Sequence, residues 1–524
     1  MVIRPDAHRS AVFGDNIVST SQPLAAQAGL SIMKQGGNAV DAAVAAAITL
    51  TVVEPTMNGI GSDAFCLVWD GRNIHGLNAS GKYPEQWAFK DFKQYSSMPD
   101  LGWQSVSVPG AVSSWVALSS RFGRLPFEDL FEPALRYAKD GFLVSTIIAD
   151  QWNRQIHRFS KFEEFQRIFT IHERSPEAGE RFRLPDHADS LEQIAKTNGE
   201  DFYRGELAQR MVDDSLNNDG KLSLNDLNSH APTWINPINT EYKGFELHEI
   251  PPSGQGIAAL IANGILNELE DVLQQSNKVL KAHAEIESMK LALDIVYSEV
   301  SDPSYMNKTI AELLSVEFHR HLAKKITMTE ARHLPPRQTV HSDTVYLTSA
   351  DSNGMMVSFI QSNYMGFGSG VVVPKTGISL QNRAAGFSLQ KDHPNCVDGG
   401  KFPFHTIIPG FITRNGNPLS SFGVMGGDIQ AQGHLQLFRQ LTNQLMNPQE
   451  IINAPRWKIS KDGSLLVEDT FEQDILGGLE SLGHRVSKTP YGAYEFGAAQ
   501  MITKYKDGYA AGSEPRRDGQ AVAF

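Results

Sequence analysis

Cysteine, long apolar runs and concentrated positive charge are all scarce in this sequence of 524 residues. Two cysteines, Cys66 and Cys396, exclude a disulfide framework and a zinc site built from cysteines. The longest apolar run, residues 42–53, is too short to span a bilayer. The first ten residues lack the apolar segment of a secretory signal peptide, so we expect a cytoplasmic protein that is not bound to a membrane.

The charge balance argues against nucleic acid as a partner. Lysine and arginine total 47 against 59 aspartates and glutamates, a formal net charge of −12, and no basic run is present. Polyanions and anionic membrane surfaces attract basic patches, so neither is expected to bind this chain. With 41% hydrophobic and 20% charged residues, the composition is that of a globular protein. At about 100–200 residues per domain, the length predicts more than one lobe.

Several familiar catalytic and cofactor motifs are also absent from the sequence. There is no G-x-S-x-G elbow, no P-loop and no H-E-x-x-H pair. Residues 59–64, GIGSDA, match the glycine pattern of dinucleotide-binding folds, but that pattern follows a strand and opens a helix. Here it follows a predicted helix and opens a predicted strand, so a tight buried turn is favoured. We therefore expect neither a cofactor nor a bound metal.

Local patterns predict both helices and strands in the first part of the chain. Asn38 is suited to cap a helix, Asp41 suits its first turn, and the apolar residues 42–53 continue it up to Glu54. Because this helix is apolar all round, it is expected to be buried. Other predicted elements are a strand over residues 64–69 and an amphipathic helix over residues 280–300.

The pattern changes near residue 335. The run Leu334-Pro335-Pro336 predicts an exposed connector, since proline cannot lie inside a helix. After it, a strand over residues 344–348, a turn at residues 351–354 and a return strand over residues 355–360 form a predicted hairpin. Further along, the glycine turn 426–427 separates a predicted strand over 421–424 from a predicted helix over 429–445. This mixture supports an α/β or an α+β fold without choosing between them.

Residue types alone give little evidence for any particular catalytic or ligand-binding site. Thr344 opens a predicted hairpin strand after the proline-rich connector, and glycine pairs allow backbone N–H groups to approach a ligand closely. An ordinary strand threonine and ordinary turns are the favoured explanation of these features.

A series of short motifs, however, runs in one order along nearly the whole chain. The motifs in the first part are residues 36–43 (GGNAVDAA), 53–55 (VEP), 59–61 (GIG), 108–110 (VPG), 122–126 (FGRLP), 251–256 (PPSGQG) and 289–292 (MKLA). Those in the second part are residues 343–347 (DTVYL), 367–370 (FGSG), 426–427 (GG) and 518–519 (DG). With these motifs the sequence resembles the γ-glutamyltransferase family of N-terminal nucleophile hydrolases.

The resemblance implies a fold and a maturation step. The family fold is α+β, a four-layer αββα sandwich. The family precursor cuts itself in two, which here implies cleavage between Asp343 and Thr344. The products would be a large subunit, residues 1–343, and a small subunit, residues 344–524, that form one compact unit. A dimer of such pairs is left open.

The resemblance also assigns catalytic roles. Thr344 is the implied nucleophile, and the α-amine that cleavage creates on it is the implied base. Such an amine has a reference pKa of roughly 7.7–8, so it can accept a proton near neutral pH. Gly426 and Gly427 are the implied oxyanion donors, and Thr348 and Ser362 are the implied hydroxyls beside the nucleophile.

This sequence departs from the family at the positions that recognise the amino acid end of a γ-glutamyl group. Ser80 stands where an arginine binds the α-carboxylate, and Gly386 stands where an aspartate binds the α-amine. A neighbouring amide position is Tyr364, and paired serines are replaced by His405-Thr406. Arg383 is our choice for a replacement carboxylate anchor, because a guanidinium binds carboxylate bidentately.

The leading interpretation is an autoprocessed, γ-glutamyltransferase-like amidohydrolase or acyltransferase. It would form an acyl-enzyme on Thr344 and pass a γ-glutamyl or similar short acyl group to water or an amine. One alternative is a glutaryl-type acylase that acts on amides without an amino acid end. Another is an uncleaved, inactive homologue that acts as a binding protein. The expected partner is a small-molecule amide.

Overall fold

The computed structural model describes residues 9–333, 343–444 and 446–524; the predicted connector at residues 334–336 lies outside them. The strands are β1 (Val12–Gly14), β2 (Ile17–Thr20), β3 (Asp63–Trp69), β4 (Ile74–Ala79), β5 (Phe142–Leu143), β6 (Arg181–Phe182), β7 (Thr233–Ile235), β8 (Ile238–Tyr242), β9 (Phe245–Glu249), β10 (Asp343–Ala350), β11 (Met356–Tyr364), β12 (Gly410–Arg414), β13 (Asn417–Met425), β14 (Trp457–Ile459), β15 (Leu465–Glu468), β16 (Val486–Thr489), β17 (Ala498–Tyr505), β18 (Gly508–Ser513) and β19 (Gln520–Ala523).

The helices lie between and after these strands. They are α1 (Pro23–Lys34), α2 (Ala39–Val53), α3 (Ala111–Phe122), α4 (Glu132–Asp140), α5 (Thr146–Gln155), α6 (Glu163–Phe169), α7 (Pro185–Lys196), α8 (Glu200–Arg204), α9 (Glu206–Asn217), α10 (Leu224–Asn228), α11 (Ile257–Asn267), α12 (Glu270–Leu273), α13 (Lys278–Glu299), α14 (Ile310–Leu313), α15 (Val316–Ala323), α16 (Ile429–Gln444), α17 (Pro448–Asn453) and α18 (Gln473–Ser481). In the described part of the chain, no helix is both long and apolar enough to cross a membrane.

Two large antiparallel sheets form the centre of the molecule. Sheet I has the order β1-β18-β17-β13-β12-β9-β8, and sheet II has the order β19-β2-β10-β11-β3-β4-β7. Each sheet contains strands from both sides of the predicted cut at residue 343. Smaller groups of strands, β14-β15-β16 and β5-β6, lie outside the two sheets.

The hydrophobic clusters show four layers. Side chains from both sheets, among them Tyr346 and Phe411, pack together between the sheets. The outer face of sheet II packs against helices that include the fully buried α2. The outer face of sheet I packs against α11 and α16. The α+β class and the layered sandwich expected from the resemblance are therefore confirmed.

Local sequence signals explain the buried helix α2. The Asn38 side chain accepts hydrogen bonds from the N–H groups of Val40 and Asp41, and the Asp41 carboxylate accepts one from the Asn38 N–H. This capping box satisfies N–H groups that have no partner inside the helix. The predicted start and end of α2 are confirmed, as are the strand over 64–69 and the helix over 280–300, which spans Lys278–Glu299.

The predicted hairpin is also present and positions the functional residues. Strand β10 pairs with β11 through the turn at residues 351–354, and β11 pairs in turn with β3. The pairing of β10 with β11 shifts register between Asp343 and Val345, so Thr344 lies at a bulge. Bulges re-aim side chains and are common beside active sites.

Candidate active site

Thr344 lies at the beginning of β10 with its hydroxyl directed at a second hydroxyl. Its side chain is buried, and its Oγ1 donates a hydrogen bond to Ser362 Oγ at 3.2 Å. Ser362 Oγ in turn accepts a hydrogen bond of 2.8 Å from the Tyr364 N–H. Of the two hydroxyls expected near Thr344, the structure therefore brings Ser362 into contact with it. The predicted cleavage site includes Asp343, whose side chain lies outside the described residues.

Thr348, the other expected hydroxyl, lies elsewhere. It is four residues along β10 from Thr344, which corresponds to about 13 Å. Its Oγ1 donates to the Val357 carbonyl at 2.8 Å and shares a hydrogen bond of 2.6 Å with Ser421 Oγ. Because Ser421 belongs to β13, Thr348 connects sheet II to sheet I rather than contacting Thr344.

The turn Gly426-Gly427 follows β13 and shares a cavity with Thr344. Both glycines have positive φ angles, 121° and 71°, and a Cβ at Gly426 would lie 2.9 Å from the Cα of Gly497. Only glycine fits such a position without strain. Within the described residues, neither N–H group has a hydrogen-bond partner. Thr344 and Gly426 both line a cavity of about 630 Å³.

The walls of this cavity carry charges of both signs. Its basic residues include Lys458 and Arg517, and its acidic residues include Asp428 and Glu495. The guanidinium of Arg517 lies 4.1 Å from the ring centre of Tyr494. A leaving group or an acceptor in this cavity would therefore meet a polar, mixed-charge surface.

The adjacent Arg516 has a structural role. Its guanidinium forms buried ion pairs with Glu468 and Glu514, and Glu514 also pairs with Arg456. These partners account for the charge of Arg516, so of the two consecutive arginines only Arg517 lines the cavity.

The proposed carboxylate anchor, Arg383, is completely buried. Its Nη1 donates to Thr406 Oγ1 at 3.1 Å, and its guanidinium lies 4.2 Å from the ring centre of Tyr364. Tyr364 itself has a φ angle of 75°, which is unusual for a residue with a side chain and typical of functional sites. Tyr364 and Thr406 line a second cavity of about 1100 Å³, and Asp428 lines both cavities.

Ser80 and Gly386 supply no charge to the site. The Ser80 hydroxyl donates to Asn78 Oδ1 at 2.7 Å, near the end of β4. A Cβ at Gly386 would lie 3.8 Å from the Tyr364 hydroxyl, so position 386 does border the predicted substrate-binding residues.

Asp63 is a residue that the sequence analysis did not single out. It begins β3 directly opposite Ser362 of β11, and paired residues on neighbouring antiparallel strands point to the same face. Its Oδ2 lies 3.6 Å from Arg383 Nε and 4.0 Å from His405 Nε2. The signal available in the sequence was a lone acidic residue at the start of an otherwise apolar strand.

Burial controls the protonation of this group. Burial raises the pKa of the Asp63 carboxyl to about 7, although the positive charge of Arg383 opposes the shift. Burial, together with the charge of Arg383, lowers the pKa of His405 well below its usual value, so the ring is neutral. Near neutral pH, Asp63 therefore exchanges between its acid and its carboxylate form.

A second cluster of titratable residues lies away from Thr344. Ligand atoms of His283, Glu287 and His484 lie within 4.8 Å of one another. The two rings share a hydrogen bond of 2.8 Å, His283 Nε2 is 2.8 Å from the Thr327 carbonyl, and Lys290 Nζ lies 2.7 Å from Glu287 and 3.4 Å from His484. A metal ion would have to displace the lysine and break this chain of hydrogen bonds.

Comparison with known proteins agrees with the fold. The profile of the gamma-glutamyltranspeptidase family matches residues 25–524. The chain is 33% identical over 529 residues to the glutathione hydrolase-like YwrD proenzyme of Bacillus subtilis, which covers 99% of this chain and 100% of that protein. It is 31% identical over 532 residues to the oxamate amidohydrolase proenzyme of Klebsiella pneumoniae, with the same coverage of 99% and 100%.

A solved structure also matches over nearly the whole length of the chain. The structure of cephalosporin acylase from Bacillus halodurans superposes with a TM-score of 0.93 at 43% identity, covering 99% of this chain and 97% of that chain. These matches confirm the resemblance over the full length. The protein is therefore an enzyme of the gamma-glutamyltranspeptidase family of N-terminal nucleophile hydrolases, a family of self-cleaving proenzymes.

Proposed function

We propose that this protein cleaves itself between Asp343 and Thr344 and then uses Thr344 to transfer a short acyl group from an amide to water or an amine. The observation that carries this proposal is the hydrogen bond from Thr344 Oγ1 to Ser362 Oγ, made at the edge of a cavity that Gly426 also lines. Thr344 is thus held in place by a neighbouring hydroxyl and shares the cavity with Gly426, whose N–H group has no partner among the described residues.

Self-cleavage converts a peptide bond into a catalytic group. Thr344 Oγ attacks the carbonyl carbon of Asp343, the C–N bond breaks, and the acyl group moves from nitrogen to oxygen. Water then hydrolyses the resulting ester, which leaves a carboxylate on Asp343 and a free amine and hydroxyl on Thr344. The new α-amine accepts the proton of the hydroxyl when that hydroxyl next attacks a substrate.

The catalytic cycle repeats this chemistry on a substrate amide. Thr344 Oγ attacks the amide carbonyl, and the oxyanion of the tetrahedral intermediate accepts hydrogen bonds from Gly426 and Gly427. Removing one such donor from an enzyme typically costs about a hundredfold or more in rate. The amine product leaves with a proton, and water or another amine then takes the acyl group from the ester.

The favoured acyl group is short and ends in a carboxylate. A buried carboxylate needs a cation or several hydrogen-bond donors, and Arg383 offers both. Gly386 supplies no carboxylate for an α-ammonium group, so a dicarboxylic acyl group without an amine fits the site better than γ-glutamyl. The names of two relatives, an oxamate amidohydrolase and a cephalosporin acylase, are consistent with this substrate range.

The decisive test of the proposal is the nucleophile. We expect Thr344→Ala to remain a single full-length chain without activity, because one hydroxyl performs both cleavage and catalysis, while Thr344→Ser keeps a hydroxyl and still cleaves. A denaturing gel and the N-terminal sequence of the smaller fragment give the readout. Normal processing of the alanine variant would show that the nucleophile is another residue, and an uncleaved wild type would favour the binding-protein alternative.

Comparing several acyl donors distinguishes γ-glutamyl amides from amides of an acyl group without an amine. We expect glutathione and γ-glutamyl p-nitroanilide to be poor donors and glutaryl p-nitroanilide to have the higher kcat/KM. A strong preference for the γ-glutamyl donor would contradict the altered acyl site.

A further inference from the structure

Three neighbouring side chains in the interior, Asp63, Arg383 and His405, are among those with buried polar atoms that lack hydrogen-bond partners. Among the described residues, both carboxylate oxygens of Asp63, Nε and Nη2 of Arg383 and both ring nitrogens of His405 lack one. All three side chains are 0% exposed. Buried polar groups are nearly always hydrogen-bonded, since an unpaired one costs the free energy of its lost hydration. A concentration of unpaired groups in one place is therefore expected where a ligand supplies the missing partners.

These groups lie beside the nucleophile. Asp63 is paired with Ser362 across β3 and β11, and Ser362 accepts the hydrogen bond from Thr344. Phe65 and Ile360, each two residues along its strand, pack between the sheets, so Asp63 and Ser362 face the same space. Because neighbouring strands are about 4.8 Å apart, Asp63 is about 10 Å from the backbone of Thr344. The side chains of Thr344 and Asp63 cover part of that distance, and a short acyl chain would span the rest.

Asp63 and an acyl carboxylate compete for the same part of Arg383. The free Nε and Nη2 form the edge of the guanidinium that binds a carboxylate bidentately. Asp63 Oδ2 lies 3.6 Å from Nε, too far for a hydrogen bond but close enough for strong attraction when Asp63 is ionised. A second carboxylate at this edge would also be repelled by an ionised Asp63.

We propose that Asp63 is a specificity-determining residue that allows Arg383 to bind an acyl carboxylate when Asp63 is protonated and prevents this binding when Asp63 is ionised. This inference rests on the acyl site described under the proposed function. The inference adds a basis for selectivity. Arg383 and protonated Asp63 together carry a net positive charge, whereas Arg383 and ionised Asp63 together carry none.

Asp63 is a group near this site whose charge changes around neutral pH, as is the α-amine that cleavage creates on Thr344. Arg383 stays charged because a guanidinium does not lose its proton in proteins. His405 is neutral, since burial and Arg383 lower its pKa well below the usual value. Burial raises the pKa of Tyr364 to about 12 and also raises the pKa of Tyr203, so both phenols are neutral as well. Burial raises the pKa of Asp63 itself to about 7, so this carboxyl titrates between pH 6 and pH 8.

Binding of an acyl carboxylate should therefore weaken as pH rises. With a pKa of about 7, the protonated fraction falls from about 0.9 at pH 6 to about 0.1 at pH 8, which weakens apparent affinity about tenfold. The ligand carboxylate is ionised over this whole range. A ligand of the same length without the terminal carboxylate should show no such change.

Calorimetric titration of the purified wild-type protein with glutarate and with pentanoate tests this inference without requiring turnover. These acids differ only in the terminal carboxylate. Titration of the Thr344 amine changes both dissociation constants by the same factor, so this factor cancels in their ratio. We expect the ratio to change about tenfold from pH 6 to pH 8 in favour of glutarate at low pH. Pentanoate affinity should change over the same range only as far as titration of the Thr344 amine changes it.

Two substitutions identify the titrating group. Asp63→Asn should hold the ratio of the glutarate and pentanoate dissociation constants at its low-pH value across the range, because the amide cannot ionise. Asp70→Asn is the matched control: Asp70 follows the far end of the same strand, is partly exposed and bonds to His75, so the wild-type profile should be retained.

The outcomes separate this inference from the proposed function. A pH-independent ratio in the wild type overturns the role of Asp63, even if glutaryl anilide is hydrolysed. The predicted pH dependence with no amide turnover supports the role of Asp63 and contradicts the proposed function instead. Tighter binding of L-glutamate as pH rises, lost in Asp63→Asn, would assign Asp63 to an ammonium group and overturn the inference.

Discussion

Ser362 connects the proposed nucleophile to the backbone of β11. Its Oγ accepts hydrogen bonds from Thr344 Oγ1 and from the Tyr364 N–H, so it fixes where the threonine hydroxyl points. A hydrogen bond of this kind has a net value of about 0.5–1.5 kcal/mol, and about 1.4 kcal/mol corresponds to a tenfold change in rate. We expect Ser362→Ala to lower kcat about tenfold and to slow self-cleavage.

The Ser362 prediction is checked by kcat on the best anilide donor and by the time course of processing on a denaturing gel. Ser362→Thr keeps the hydroxyl and should restore much of the rate. If the alanine variant processes and turns over like the wild type, the contact with Thr344 has no catalytic value.

Arg383 is the residue on which recognition of the acyl group depends. Hydrogen bonds to charged groups contribute about 1.5–3 kcal/mol each, so losing a bidentate pair should lower kcat/KM a hundredfold or more. We expect this loss in Arg383→Ala with glutaryl p-nitroanilide and little change with pentanoyl p-nitroanilide, which has no carboxylate to bind. An equal loss with both donors would indicate damage to the fold, and no loss would remove Arg383 from the site.

The sequence located some residues of this site and missed another for a physical reason. Thr344, Gly426 and Gly427 belong to continuous motifs that a single chain displays directly. Asp63 contacts residues that are more than 300 positions away along the chain, Arg383 and His405. Nothing local to residue 63 reveals those neighbours, so only the assembled sheets show that this acid is buried beside an arginine.

At the scale of secondary structure, the role of the Thr348 hydroxyl on β10 can be tested: it either stabilises the fold or takes part in catalysis. Thr348→Val removes hydrogen bonds to Val357 and Ser421 and leaves their buried oxygens with one partner fewer. Leaving buried groups unsatisfied costs about 1–3 kcal/mol, so we expect a lower Tm by thermal denaturation. We expect kcat/KM at a temperature well below Tm to be nearly unchanged. A loss of activity as large as that of Ser362→Ala would instead give Thr348 a role in catalysis.

Helices and strands were well predicted where the residues that begin or end them are adjacent to them in the sequence. The cap at Asn38, the hairpin turn at residues 351–354 and the glycine turn at 426–427 each lie next to the element that they begin or end. The bulge at Thr344 was not predicted. It depends on how β10 registers against β11, and register is set by packing between strands rather than by the composition of one of them.

At the scale of the whole molecule, the fold class could not be chosen from periodicity. Helices and strands alternate along the chain, a pattern shared by α/β and α+β folds. The antiparallel pairing of both sheets distinguishes them, and it joins strands far apart in sequence, such as β2 with β19 and β1 with β18. The layered sandwich was predicted only because the motifs resembled a known family, whose fold supplies the non-local pairing.

The same topology predicts that cleavage leaves one particle. In sheet II, β2 lies between β19 and β10, and β11 pairs with β3, so three ladders join strands of residues 1–343 to strands of residues 344–524. In sheet I, β1 pairs with β18 and β9 with β12 across the same division. Separating the fragments would break all five of these ladders and expose the apolar layers between the sheets and helices, which favours continued association.

We therefore expect processed protein to elute from gel filtration in native buffer as a single peak that contains both fragments. On a denaturing gel that peak should give two bands with a mass ratio of about 2:1. The unprocessed Thr344→Ala variant is the control: it should elute at the same volume, because cutting one bond at the start of β10 while its ladders stay paired does not change the shape of the particle. Two separate native peaks would mean that the strand pairing between residues 1–343 and residues 344–524 does not hold the fragments together.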